Sequence, residues 1–191
     1  MGDTAAQVTT LFSLYRDYGE CDYLGESVTQ VQHAIQCAMQ AENEGFPHKV
    51  ILGALLHDVG HLVGLVQKRE RMETEGITLG VKNHERVGEK YLKSLRFPEE
   101  ITTFVRGHVN GKRYLVYKDP GYHDKLSPAS KMTLVHQGGP MTAEQAKEFE
   151  KHPQFEALVR MRTWDDLAKD PNMRMEPLVK YEEMCRNYLK Q

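Results

Sequence analysis

Apolar side chains recur along this chain at the helical period. Val8, Leu11, Phe12 and Tyr15 follow the i, i+3, i+4, i+7 pattern and predict a first helix. Val28, Val31, Ile35, Ala38 and Met39 predict a second, with Ser27 as its N-cap and Gly45 as its stop. Phe46-Pro47 opens a third, which carries Val50, Leu52, Leu55 and Leu56 into His57-Asp58 and is broken by Gly60. From Leu62 to Val81 the period fades. Gly64, Gly76 and Gly80 mark an irregular stretch of about 20 residues, a length that in a compact domain often belongs to an active-site lid.

Helical patterns resume from Asn83 to Leu95. Another starts at Pro98, with Glu99 and Glu100 in its first turn, and runs through Ile101, Phe104 and Val105 to His108. Ser127-Pro128 begins a helix through Leu134, and Gly138-Gly139-Pro140 breaks it. Thr142 and Gln145 form a capping box, and Pro153 can open the helix that carries Trp164 and Asp165. A last helix is expected from about Glu176 to Leu189. No segment reads as a convincing strand, and Tyr114 to Tyr117 is too short to decide otherwise. The expectation is an all-α helical bundle, a single domain over residues 1–191.

Composition narrows the class. Apolar residues make up 40% and charged residues 27% of the 191 positions, which is ordinary for a globular protein. A formal net charge of -2 asks for neither nucleic acid nor a membrane surface as partner. No apolar run has transmembrane length, and Met1 to Gln7 carries no signal-peptide pattern, so a cytoplasmic location is expected. Cys21, Cys37 and Cys185 lack CxxC spacing and read as free, small buried side chains in a reducing compartment.

The strongest local signal is Leu55-Leu56-His57-Asp58-Val59-Gly60-His61. A buried Asp at the end of an apolar helix is costly unless it is paired or bound to metal. Imidazole supplies a neutral nitrogen, and a carboxylate has two oxygens with which to bridge two ions. One His-Asp pair cannot hold a metal alone. Candidate partners on other predicted helices are His33, His84, His108 and Asp165. The offsets His57/His61, His108/Lys112, Arg162/Asp165 and Ser130/Thr133 share helix faces, so polar and cationic neighbours flank the candidate ligands. His48, His123, His136 and His152 lack such spacing and read as surface or hydrogen-bonded residues. Lys68-Arg69-Glu70-Arg71 reads as a solvated face or part of the lid.

From about Asp22 to Asp165 the sequence resembles the HD-domain superfamily, on His33, His57-Asp58 and Asp165; His84 and His108 resemble its binuclear branch. Asp22-Tyr23-Leu24-Gly25-Glu26, Gln32-His33, His84-Glu85, Gly107-His108, Lys112-Arg113-Tyr114, Ser130 to Leu134 with Gln137-Gly138-Gly139, and Met161 to Asp165 narrow the likeness. They resemble the oxygen-dependent di-iron enzymes that cleave carbon–phosphorus bonds of 1-hydroxyphosphonates. The resemblance implies two irons, an Fe(II)/Fe(III) pair, with O2 as co-substrate. One iron would take His33, His57, Asp58 and Asp165, with Tyr23 as a displaceable ligand. The other would take His84 and His108, with Asp58 bridging. His61, Lys112, Ser130, Thr133 and Arg162 would bind the phosphonate, and Glu26 would answer the substrate's ammonium. The substrate would be 1-hydroxy-2-(trimethylammonio)ethylphosphonate or 2-amino-1-hydroxyethylphosphonate, giving glycine betaine or glycine plus phosphate.

Two other readings stand beside this one. An HD-type phosphohydrolase would use the same ligands to activate water against a phosphate ester. No evident basic or aromatic cluster suits a nucleobase, and Tyr23 with Glu26 favours the oxygenase. A non-catalytic binding module would tolerate loss of ligands, and all six are present.

Overall fold

In the computed structural model, residues 4–23 and 25–190 are described; Leu24 of the Asp22–Glu26 motif lies outside them. Helices α1 (Thr4–Tyr18), α2 (Gln30–Asn43), α3 (His48–Leu56) and α4 (Val59–Val66) come first. A short antiparallel hairpin follows, β1 (Arg71–Thr74) and β2 (Ile77–Val81). Then come α5 (His84–Ser94), α6 (Glu99–Lys118), α7 (Tyr122–Lys125), α8 (Pro128–His136), α9 (Ala143–Phe149), α10 (Phe155–Leu167) and α11 (Leu178–Tyr188). The expected all-α architecture holds. Among the described residues no single helix is long and apolar enough to cross a membrane.

Four local expectations are corrected. Residues 62–81 are not an irregular loop: α4 continues to Val66, and after a short turn the hairpin occupies 71–81. Its strands are short and their apolar residues sparse, so the period of two is hard to read from sequence. Gly60 does not break a helix but lies inside α4; the break falls at His57-Asp58, where α3 and α4 meet at 41°. The N-cap of α2 is Thr29, not Ser27. Its hydroxyl accepts from the Gln32 N–H at 3.3 Å, and the Gln32 side chain accepts from the Thr29 N–H at 2.9 Å. The helix that starts at Pro98 does not end at His108: α6 is continuous through Lys112 and Tyr114 to Lys118. The last helix is shorter than expected at its start, and the Thr142–Gln145 capping box is present.

The core forms where α2, α3, α6 and α10 pack on one another. Leu52, Leu55 and Leu56 of α3, Phe104 of α6 and Trp164 of α10 are fully buried there. Each such side chain contributes roughly 1.5–3 kcal/mol by leaving water. Trp164 keeps its indole N–H satisfied on Glu44 at 3.0 Å. Cys37 and Cys185 are buried as expected, whereas Cys21 is exposed.

The second layer, α4 on α5 and α5 on α6, depends on one close approach. A Cβ placed on Gly60 would lie 1.9 Å from the His84 carbonyl and 2.9 Å from the Gly88 nitrogen. Backbone has no flexible end to swing away, so only glycine lets α4 sit this close to the start of α5. Gly60→Ala is therefore expected to destabilise the fold by about 3 kcal/mol in urea denaturation, as overpacking does. Unchanged stability would show that the two helices can part without cost.

Candidate metal centre

Four helices and one helix junction bring the predicted ligands together. The capped first turn of α2 sets His33. The α3–α4 junction sets His57 and Asp58, α5 opens with His84, α6 carries His108, and α10 carries Asp165. All six are buried.

The two oxygens of Asp58 face different ring pairs. Oδ2 lies 3.4 Å from His57 Nε2 and 3.7 Å from His33 Nε2. Asp165 Oδ1 joins that group 3.4 Å from His33 Nε2. Oδ1 of Asp58 lies 3.3 Å from His84 Nε2 and 3.2 Å from His108 Nε2. The rings also meet in pairs, His33 with His57 at 3.2 Å and His84 with His108 at 2.9 Å between Nε2 atoms. Donors on adjacent octahedral positions around a metal, with bonds of about 2.1 Å, stand about 3 Å apart. The observed separations fit two ions, one on each side of Asp58.

The other ring nitrogens fix the tautomers. Nδ1–H of His33 donates to the Ala168 carbonyl at 2.9 Å, and that of His57 to Ala54 at 2.7 Å. Nδ1–H of His84 donates to Val81 at 3.3 Å, and that of His108 to Val105 at 2.8 Å. Each Nε2 therefore faces inward, and the four converge on Asp58. Lone pairs so close repel unless a positive charge lies between them. Burial pushes the His57 imidazole down, but the Asp58 carboxylate outweighs it and lifts it to about 9. Burial alone would raise Asp58; His57, with the bonds from His108 and His57, holds it well below the usual carboxylate range. The cluster thus draws positive charge, a proton or a metal ion, and an imidazole–carboxylate set suits iron or zinc.

His61 differs from these four. Its Nδ1 accepts the Val81 N–H at 3.0 Å, so its proton sits on Nε2. Burial and His84 push its pKa well below 6.5, which keeps it neutral. Asp58, His61 and His84 lie close enough to hold an ion together. In this tautomer Nε2–H of His61 faces Asp58 Oδ1 across 3.9 Å, beyond hydrogen-bond range, and offers a proton rather than a lone pair. Cys37 also sits within reach, its Sγ 3.8 Å from His33 Nε2. Burial pushes its thiol well above the usual range, so it is a packed neutral neighbour.

A cavity of about 50 Å³ adjoins the cluster. Of the predicted site residues, all but His33, His57 and Glu26 line it. Tyr23 stacks on His33 with ring centroids 3.8 Å apart and donates its hydroxyl to Asp58 Oδ2 at 2.8 Å. Burial and Asp58 raise its pKa well above 10, so it stays protonated. Lys112 is buried and donates to Thr133 Oγ1 at 2.9 Å; burial, then Arg162, lower it to about 7. Arg162 does not hold its fork free. It bonds Asp165 and Asp166, and reaches Tyr122 Oη at 2.8 Å and Ser130 Oγ at 3.2 Å. The aromatic hydroxyl of Tyr122 also bonds Asp166.

Glu26 is not brought into the cavity. It pairs with Lys169 at 2.7 Å and accepts from Ser127 Oγ at 2.7 Å, so its charge is answered within the chain. Three cavity residues lie outside the predicted site set: Met72, Val109, which follows His108 on α6, and Gln137. Met72 comes from β1, whose pattern is too short to place it. Gln137 lies one turn after Thr133, a spacing that would have pointed to it, and its buried Oε1 has no partner among the described residues. The four remaining histidines lie outside the cavity. His136 bonds Thr74 at 2.9 Å and His152 bonds Thr103 at 3.3 Å.

Asp58→Ala is expected to lower the metal bound per chain, whereas His61→Ala should keep the parental metal content; metal analysis of both variants checks the division. Lys112 gives a pH signature in metal-free protein. Below about pH 7 folded and unfolded chains both carry its proton, and the folded state bears the whole cost of burying it. As pH rises from about 7 toward 10.5 the folded state sheds that proton first, and stability rises. Lys112→Met should exceed the parent in urea stability near pH 6, by a margin that narrows toward about pH 10. An equal margin at both ends would mean that Lys112 keeps its ordinary pKa.

Residues 28–137 match the HD domain family model. An uncharacterized protein of Acanthamoeba polyphaga mimivirus is 38% identical over 182 residues, 95% of this chain and 81% of that protein. A (1-hydroxy-2-(trimethylamino)ethyl)phosphonate dioxygenase (glycine-betaine-forming) of Leisingera caerulea is 41% identical over 155 residues, 81% of this chain and 76% of that protein. A hydroxymethylphosphonate dioxygenase of Gimesia maris is 37% identical over 175 residues, 92% of this chain and 84% of that protein. On these matches this chain belongs to the HD-domain phosphonate oxygenase family and is an enzyme.

Proposed function

We propose that this enzyme cleaves the C–P bond of a 1-hydroxyphosphonate with O2, releasing phosphate and a carboxylate. The leading substrate is 1-hydroxy-2-(trimethylammonio)ethylphosphonate, with glycine betaine as product; the free-amine analogue would give glycine. The observation that carries the reading is Asp58, with one oxygen toward His33 and His57 and the other toward His84 and His108. His33, His57, Asp58 and Asp165 would hold one iron; His84 and His108 would hold the other, with Asp58 shared. As an Fe(II)/Fe(III) pair the metals would supply the O2 chemistry when bound.

The chain's own residues divide the remaining tasks. Lys112, placed by Thr133, offers a charge-assisted bond to the phosphonate. Ser130 and the Nε2–H of His61 add donors beside it. Arg162 acts mainly on Asp165 and so fixes the direction of a metal ligand. Gln137 Oε1 offers the unused acceptor that a substrate hydroxyl hydrogen requires. Tyr23 holds its proton on Asp58 and can release that bond when a ligand displaces it. A cavity of about 50 Å³ is too small for the substrate. Met72 and the hairpin, tied to α8 through Thr74 and His136, must shift to admit it.

A second substrate is favoured by one observation. Lys169 already neutralises Glu26, so no unpaired acid among these residues awaits a cationic substituent. Hydroxymethylphosphonate, which has none, fits that arrangement. The phosphohydrolase reading uses the same donors but has no observation of its own.

Iron-loaded protein in an oxygen electrode, given the three phosphonates in turn, should consume O2 in step with phosphate release. Lys112→Ala should raise KM about tenfold or more with iron content unchanged, the loss of a charge-assisted bond. Phosphate released from a phosphate ester without O2 uptake would overturn the oxygenase in favour of hydrolysis.

A further inference from the structure

A second, larger cavity of about 700 Å³ lies between the end of α4, the ends of the hairpin and α5, and shares no lining residue with the metal cavity. Five cations line it: Lys68, Arg69, Lys82, Arg86 and Lys90. Its lining includes one acid, Glu70, and that is already bonded to Lys82 at 2.7 Å. The chain as a whole carries a formal charge of -2, so this concentration of positive charge is local.

The charge on α5 is segregated. Its acids Glu85 and Glu89 meet Arg106 of α6 at 3.6 and 3.5 Å. Glu89 also pairs with Lys93 at 2.7 Å. Arg86 keeps only a 3.6 Å contact to Glu85, and Lys68 and Lys90 have no ion pair among the described residues. Arg69 donates to the Gln67 amide rather than to an acid. Arg86 and Lys90 are four apart on one helix, a like-charged spacing that costs stability. A concave surface of one sign focuses its potential on an opposite charge. Beside the cations stand apolar Val87 and the half-buried ring of Tyr91, which offers a face to a planar group. A cavity this size suits a whole small molecule.

We propose that this groove binds a nucleoside polyphosphate, its phosphates on Lys68, Arg86 and Lys90 and its base against Tyr91. The contacts would be charge-assisted, and an arginine with lysines is a usual phosphate set. The groove is built on α4 and α5, which also carry His61 and His84, and its Asn83 directly precedes His84. A ligand there would lie beside the start of α5 without entering the metal cavity, at a site separate from the substrate's.

Isothermal titration of the iron-loaded protein with ATP and with tripolyphosphate, in about 0.15 M salt to suppress loose surface attraction, tests this. ATP should saturate one site more tightly than tripolyphosphate. The double variant Lys68→Glu, Lys90→Glu should bind ATP about tenfold or more weakly, with its circular dichroism and iron content unchanged. Tyr91→Leu should weaken ATP and leave tripolyphosphate unaffected. No saturable ATP binding, or binding equal in the double variant (as chelation of the iron would give), overturns the proposal. Equal affinity for the two probes removes the nucleoside, and a single-stranded oligonucleotide binding more tightly than ATP would make the groove a nucleic-acid surface instead.

Discussion

A single carboxylate, Asp58, is buried away from bulk water, and the molecule is arranged around that fact. An isolated buried charge costs several kcal/mol or more, so the fold must surround it with compensating groups. It does so from both sides. Four imidazoles turn Nε2 toward its two oxygens, and each ring is locked from behind by a main-chain carbonyl. Those carbonyls belong to helix turns, the β2 strand end and the end of α10, so the ring directions are properties of the backbone. A side chain can change rotamer easily; a helix carbonyl cannot. The rigidity of the centre therefore derives from the bundle.

The same demand explains the kink between α3 and α4. A straight helix through His57 and His61 would stack them on one face with Asp58 turned aside. Ending α3 at Leu56 and restarting at Val59 places Asp58 at a junction, where its carboxylate can face both ring pairs. Gly60 then allows α4 to lie against the first turn of α5 and bring His84 within range.

Around the centre, stability has been given up for chemistry. Lys112 and Arg162 are buried cations, and Gln137 holds an acceptor without a partner among the described residues. Each is unfavourable for the empty fold. Arg162 is compensated by Asp165 and Asp166; Lys112 and Gln137 are compensated only in part, and both face the cavity. Unfinished bonding at one spot indicates where a polar molecule completes the structure. The basic groove on α5 carries the same kind of incompleteness in charge rather than in hydrogen bonds.

Sequence alone determined the helices that carry the candidate ligands, because their apolar period is strong and their caps are chemically specific. It also marked candidate ligands, since adjacent His57 and Asp58 after an apolar run are costly to bury without a cation. Tertiary structure decided everything that depends on direction. The hairpin was illegible because strands this short hold too few positions to display a period. His61 became a donor through the Val81 amide, Glu26 was taken by Lys169, and Arg162 was turned onto its neighbouring acids. The basic groove gathers residues from the ends of three elements, none of which is unusual by itself. Periodicity and residue type are local properties that a linear sequence records. Which lone pair faces which proton depends on how separate helices pack, and that exists only once the chain has folded.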